Sequence, residues 1–462
     1  MKKTALLFLL PLLALLAPTP PARGQASTPP DPAQYGQPFA AVPDAPDAVI
    51  YQVNMRGFSQ AGNFAGVLAR LDSIKALGVN VVYLMPIFPI GQERAVDSPF
   101  AVRDYVSVNP EFGTLADLRM LVEAIHARRM AVILDWVGNH TSWDHAWVKA
   151  HPDWYVHNAK GEIINPIPSW KDIAQLNFQN PELRAAMISA LRYWVFAANI
   201  DGFRCDYADG PTREFWVEAL ASLQSIKGHK LLLLAEGDQK KYFFQVGFQL
   251  DYDFPFIQVM RHAILEHGKS VRLLDSLNAV EYQGAPAGAR MVRYTSNHDI
   301  NSSEGPPQEL FGGERGAMAV FVVAAYMKAV PMIYNGQEVG YAKRVPFMGP
   351  RQPVDWTPKP AVTRAYKQLI GLRNASPALR TGTLASYSSA DVCAFTKTQG
   401  GEQVLVLVNL RNASVPYAVP AALARTRWHN AFGGAAPALK EKLTLRPFEY
   451  VVLRNQPVSA RH

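Results

Sequence analysis

The chain has 462 residues, 49% of them hydrophobic, and a formal net charge of +8. That length exceeds one small domain, and the apolar fraction excludes general disorder. The positive charges are scattered, with no sustained Lys/Arg run and no nucleic-acid-binding motif, so they read as a solvated basic surface and not as a nucleic-acid footprint.

At the N-terminus, Lys2 and Lys3 precede an apolar run over residues 5–17, followed by small and Pro-rich residues to Gln25-Ala26. This pattern predicts a signal peptide over residues 1–26, too short in its apolar core to span a bilayer. The expectation is a secreted or periplasmic protein with no membrane span in the mature chain. Residues 27–45 are rich in Pro, Ala and Gln and read as a linker or irregular lead-in. From Ala48 onward, apolar runs alternate with segments of helical period. Strands are predicted over 49–53 and 79–85, ending at Asp135, Asp206 and Glu236, and over 291–295 and 330–334. Helices are predicted over 64–77 (stopped by Gly78), 115–129, 181–198, 214–226 and 316–329. Alternation over some 320 residues implies a parallel α/β architecture. No Gly-x-Gly-x-x-Gly turn follows any strand, so a closed eight-fold barrel is preferred to an open doubly wound sheet. About forty residues after His140 lack a clear period, the mark of a functional loop or small subdomain. Beyond about Pro377, short alternating runs at 392–396, 403–410, 441–445 and 450–453 predict an antiparallel β-sandwich. Cys205 and Cys393, the only cysteines, read as unpaired buried thiols, and without further ligands in register they make no metal centre.

The chemistry gathers at strand ends. Asp-Gly-Phe-Arg-Cys-Asp, residues 201–206, places Arg204 and Asp206 two apart on one face of a strand, where the arginine favours the ionised carboxylate that a nucleophile requires. Three further runs end similarly: 132–140 with Asp135, Asn139 and His140, 231–238 with Glu236, and 292–299 with His298 and Asp299. Carboxylates at the C-terminal ends of successive parallel strands are the arrangement of a barrel enzyme.

These four strand ends together resemble the signature regions of the α-amylase superfamily, glycoside hydrolase family 13. The regions stand here as residues 135–140, Gly202–Asp206, Glu236, and Asn297-His298-Asp299. Residues 78–86 are similar to that family's second barrel strand, and 330–338, with Tyr-Asn-Gly-Gln-Glu, to its eighth. Asp104-Tyr105 with residues 109–114 resembles the approach to the second helix, and Gln175-Leu176-Asn177 the fifth conserved region. The resemblance implies a (β/α)8 TIM barrel over 46–375, a short domain B at 141–180 after strand 3, and a C-terminal β-sandwich over 376–462. It implies Asp206 as nucleophile, Glu236 as general acid/base and Asp299 as third carboxylate. Arg204, His140, His298 and Asp135 follow as substrate-site residues, as does Phe100, where relatives commonly carry a stacking tyrosine. Retaining hydrolysis requires two carboxyl groups about 5–5.5 Å apart, one ionised and one protonated. Arg204 is expected to keep Asp206 charged, while the aliphatic run before Glu236 resists its ionisation.

The implied substrate is an α-glucan or maltooligosaccharide, and the chemistry requires no cofactor. Asn139 matches a position that binds structural calcium in many relatives, whereas Asp209 and Gly210 replace the frequent Lys and His. Trp136, Trp143, Trp154 and Trp170 are candidates for lining a sugar groove. The rival readings are an α-glucosidase, a neopullulanase or cyclomaltodextrinase, a glucan transglycosylase, and a non-catalytic carbohydrate-binding protein.

Overall fold

Short apolar strands with no polar face must be covered on both sides, and here they close on one another. The computed structural model describes residues 30–455; the predicted signal peptide lies outside the described residues. Eight parallel strands form a closed barrel: β1 (Ile50–Val53), β2 (Val81–Leu84), β3 (Ala131–Val137), β4 (Gly202–Asp206), β5 (Leu232–Ala235), β6 (Leu250–Tyr252), β7 (Arg290–Tyr294) and β8 (Ala329–Tyr334). Neighbours in sequence are neighbours in space, and β8 returns to β1 with Met332 opposite Ile50. Every residue of β1 to β5 is buried, which explains why these strands read as continuous apolar runs.

Three elements differ from the sequence expectation. The helix over 64–77 is two short helices, Phe64–Leu68 and Leu71–Lys75. The break falls at Arg70, whose guanidinium lies 3.9 Å over the Trp356 ring. β6, only Leu-Asp-Tyr, offers no apolar run to a sequence reader. Pairing with β5 (Leu234 with Leu250) and β7 (Leu250 with Arg290) makes it a strand. The helix Pro360–Ala375, also unforeseen, buries Tyr366, Leu369 and Ile370.

Among the described residues the lead-in has no regular element before the turn Ala45–Asp47, yet it is held to the barrel by Tyr35 N–H to the Phe196 carbonyl (2.8 Å) and Asn199 Nδ2 to the Gln37 carbonyl (2.8 Å). Between β3 and β4 the chain makes an antiparallel pair, His140–Ser142 with Ile173–Gln175, and the helix Ala146–Ala150. After the barrel comes a five-stranded antiparallel sheet facing a two-stranded one. Alternation splits the larger sheet: Cys393, Phe395, Val404 and Val406 join the barrel core, while Val392, Ala394, Leu405 and Leu407 pack with Val415, Tyr417 and Leu445 of the smaller sheet. Cys205 and Cys393 are both buried and free.

Candidate active site

Parallel register carries the chemistry to one end of the barrel. Asp135 of β3 pairs with Arg204 of β4, and Cys205 of β4 pairs with Ala235 of β5, so Asp206 and Glu236 emerge side by side. The turn after β4 is tight: Tyr207 has a φ of +42°, and the Ala208 N–H bonds the Glu236 carbonyl at 2.8 Å. In that conformation the Tyr207 N–H points at Glu236 Oε2, 3.0 Å away.

One guanidinium binds three carboxylates. Arg204 Nη1 donates to Asp135 Oδ1 (2.7 Å) and Asp206 Oδ1 (2.9 Å), and Nη2 pairs with Glu236 Oε1. Asp135 is fixed on its other oxygen by the Tyr83 hydroxyl at 2.5 Å. Arg204 and Asp135 are fully buried. Burial is the largest influence on all three acids and raises them above the carboxylate range, Arg204 acting against it. Glu236 is raised further by the charges of Asp206 and Asp299. A single cation cannot neutralise three desolvated carboxylates, so the group retains a proton, and Glu236 is where its neighbours push that proton. The Arg204–Glu236 ion pair is a contact the sequence did not suggest.

Asp299 stands apart from this network. Asn297 caps the short helix His298–Ser303 by accepting the Ile300 N–H at 2.9 Å, and the Asp299 side chain is 49% exposed to the cleft. Both histidines are buried and held neutral, lowered to about 4 by desolvation. Their tautomers follow from their partners. Asn139 Nδ2 lies 3.2 Å from His140 Nδ1 and Gln52 Nε2 lies 2.9 Å from His298 Nδ1, so each Nδ1 accepts and each Nε2 carries the proton. His140 Nε2–H then donates to the Phe100 carbonyl (3.2 Å), and His298 Nε2 faces Asp299 Oδ2 (3.4 Å). The Phe100 ring stacks on His298, centroids 5.3 Å apart, and braces Phe347 edge-on.

These groups line a cleft of about 890 Å³. Phe100, His140, Asp206, Glu236, His298 and Asp299 all face it; Arg204 and Asp135 lie beneath. Of the four tryptophans considered, only Trp170 borders the cleft, edge-on to the exposed Tyr207 at 5.7 Å. Trp136 is core, and Trp143 and Trp154 are buried. Sequence reasoning missed Tyr83, which lies beneath the cleft, and Tyr207, Phe254 and Phe347, which line it. Tyr83 carried a usable signal, a lone hydroxyl inside an apolar strand that must find a buried partner.

Asn139 does not fit calcium. A calcium ion takes six to eight oxygen ligands, carboxylates prominent among them. Here Asn139 Oδ1 and its backbone oxygen both accept from Gln175 Nε2, at 3.0 and 3.2 Å. Among the described residues no group of three His, Cys, Asp or Glu side chains is placed to hold a metal.

The comparisons agree with the geometry. A model of the α-amylase catalytic domain matches residues 47–170 and 153–427. Alpha-amylase 2 of Dictyoglomus thermophilum is 28% identical over 388 residues, 79% of this chain and 66% of its own length. A cyclomaltodextrinase of a Bacillus species is 25% identical over 386 residues, 75% of this chain and 65% of its own. The chain thus spans about two thirds of the length of these curated relatives. The crystal structure of an α-amylase from Lactobacillus plantarum superposes with a TM-score of 0.76 at 28% identity, covering 88% of this chain and 99% of that one. With the family model matching most of its length, this chain belongs to the α-amylase family of glycoside hydrolases.

Proposed function

We propose that the protein is an exported retaining α-glycoside hydrolase that cleaves α-1,4-glucosidic bonds of starch, glycogen or maltooligosaccharides. The observation that carries this reading is the single guanidinium binding Asp206 through Nη1 and Glu236 through Nη2 at the floor of the cleft. It sets two carboxyls side by side where burial outweighs Arg204 and raises both, Asp206 to about 7 and Glu236 to about 8, so Glu236 is the one that holds a proton more readily.

Asp206 Oδ1 is held by Arg204, which leaves Oδ2 to attack the anomeric carbon. As that bond forms, the glycosidic C–O bond breaks and Glu236 hands its proton to the departing oxygen. Glu236, now ionised, takes a proton from water as the water oxygen attacks the same carbon, and Asp206 leaves as the free carboxylate. Asp299, exposed to the cleft and bridged by no Arg or Lys among the described residues, accepts sugar hydroxyls. The neutral His298 offers its Nε2–H donor to the same ring, while His140, whose Nε2–H is held by the Phe100 carbonyl, lines the cleft beside it. Phe100 supplies an apolar face.

The likeness to a cyclomaltodextrinase supports a second reading, in which the same machinery takes cyclic dextrins. A product time course on soluble starch, maltoheptaose and β-cyclodextrin tests both. Mixed oligosaccharides early from starch are the expected outcome, and faster opening of the cyclic substrate selects the second reading. Glucose alone means an α-glucosidase, products longer than maltoheptaose mean a transferase, and no product removes the enzymatic reading.

A further inference from the structure

The inserted segment rejoins the barrel through Gln175, the last residue of the strand Ile173–Gln175, which lies opposite His140. Its amide nitrogen is 3.0 Å from Asn139 Oδ1, 3.2 Å from the Asn139 carbonyl oxygen and 3.1 Å from the Leu176 carbonyl oxygen. Three oxygens converging on one point form a receptor for a cation or for a hydrogen-bond donor. A primary amide turned the other way would set its own oxygen against all three, so the partners dictate that the nitrogen occupies the point. Asn139 returns the contact through Nδ2 to Gln175 Oε1 at 3.4 Å, and it is fully buried. All three oxygens are neutral, so a divalent ion placed there would meet no counter-charge. Gly210 presses on the same spot, where a Cβ would come within 1.9 Å of Asn139 Oδ1, so the pocket around that oxygen is already closed.

We propose that the Gln175 amide occupies the place of a cation at this junction and latches the inserted segment to the end of β3, making the fold's stability independent of calcium. The inference concerns the scaffold and holds whether or not the cleft hydrolyses α-glucans.

Thermal unfolding of the full chain, followed by circular dichroism in EGTA and in millimolar CaCl2, tests it with three proteins. Wild type is expected to melt at the same temperature in both buffers. Gln175→Leu is expected to melt about 2–4 °C lower in both, since it leaves Asn139 without its donor. Gln175→Glu sets carboxylate oxygens among the other three, so it should melt lowest in EGTA and recover with CaCl2. A wild-type melting temperature that falls in EGTA and returns with calcium overturns the proposal. So does a Gln175→Leu variant that melts with wild type, or a Gln175→Glu variant indifferent to calcium. If the glutamate variant fails to fold without calcium, wild type and the leucine variant still decide.

Discussion

Arg204 is the residue on which the acids of the cleft depend. Its planar fork reaches Asp135, Asp206 and Glu236 at once, which a lysine's single ammonium cannot reproduce. Arg204→Lys should therefore lose about 3–5 kcal/mol of stability in denaturant titration, the cost of breaking buried ion pairs, together with nearly all turnover. Asp206→Asn should abolish hydrolysis of maltoheptaose while calorimetry still detects oligosaccharide binding; turnover within tenfold of wild type would remove the nucleophile assignment. Glu236→Gln should cost about 10²–10⁴-fold on maltoheptaose and far less on an activated aryl α-glucoside, because only the poor leaving group requires the proton. The pH profile follows the same logic. An acid that must be protonated works below its pKa, and burial lifts Glu236 to about 8, so the alkaline limb of kcat/KM should lie near there, well above the ordinary carboxyl range. Glu236→Gln should erase that limb. The identities of these residues were legible from the strand-end motifs. That Glu236 leans on Arg204 was not, since the contact links adjacent strands through side chains thirty-two residues apart.

At the scale of elements, the strands with continuous apolar runs announce themselves, and those whose existence depends on neighbours do not. β6 has one buried carboxylate among three residues and is defined by the pairs on either side. The tryptophans show the same limit, because periodicity places Trp136 and Trp170 in the chain but does not say which one meets solvent. β4 also carries a strict backbone demand. Gly202 opens it with a φ of +147°, and a Cβ there would lie 1.9 Å from the Leu232 carbonyl oxygen of β5. Gly202→Ala should separate β4 from β5 just below Asp206 and Glu236. The expected outcome is poor soluble yield and a melting temperature well below wild type; an alanine variant with unchanged melting would show that the sheet accommodates the methyl.

For the whole molecule, the decisive feature is one apolar core shared by the barrel and the larger C-terminal sheet, with Cys393, Phe395, Val406 and Val452 on the barrel side. Polar ties reinforce it: Arg411 Nη2 donates to the Lys269 carbonyl at 2.7 Å, and the Val271 N–H bonds the Ala390 carbonyl at 2.8 Å. Such an interface does not open independently. Scanning calorimetry should show a single unfolding transition, and deletion of residues 382–462 should yield insoluble protein, because the barrel surface left bare is apolar. Two separate transitions would mean that the sheet folds by itself.

The sequence by itself determined the family and the barrel and singled out Asp206, Glu236 and Asp299 as candidates, because each rests on local order: apolar runs, their spacing, and polar residues at strand ends. Only the tertiary structure decided which groups share Arg204, which tryptophan borders the cleft, and that an amide of the inserted segment fills the oxygen cluster at Asn139. Those are contacts between residues distant in the chain, set by strand register and by the path of the insertion. A linear pattern carries no such geometry.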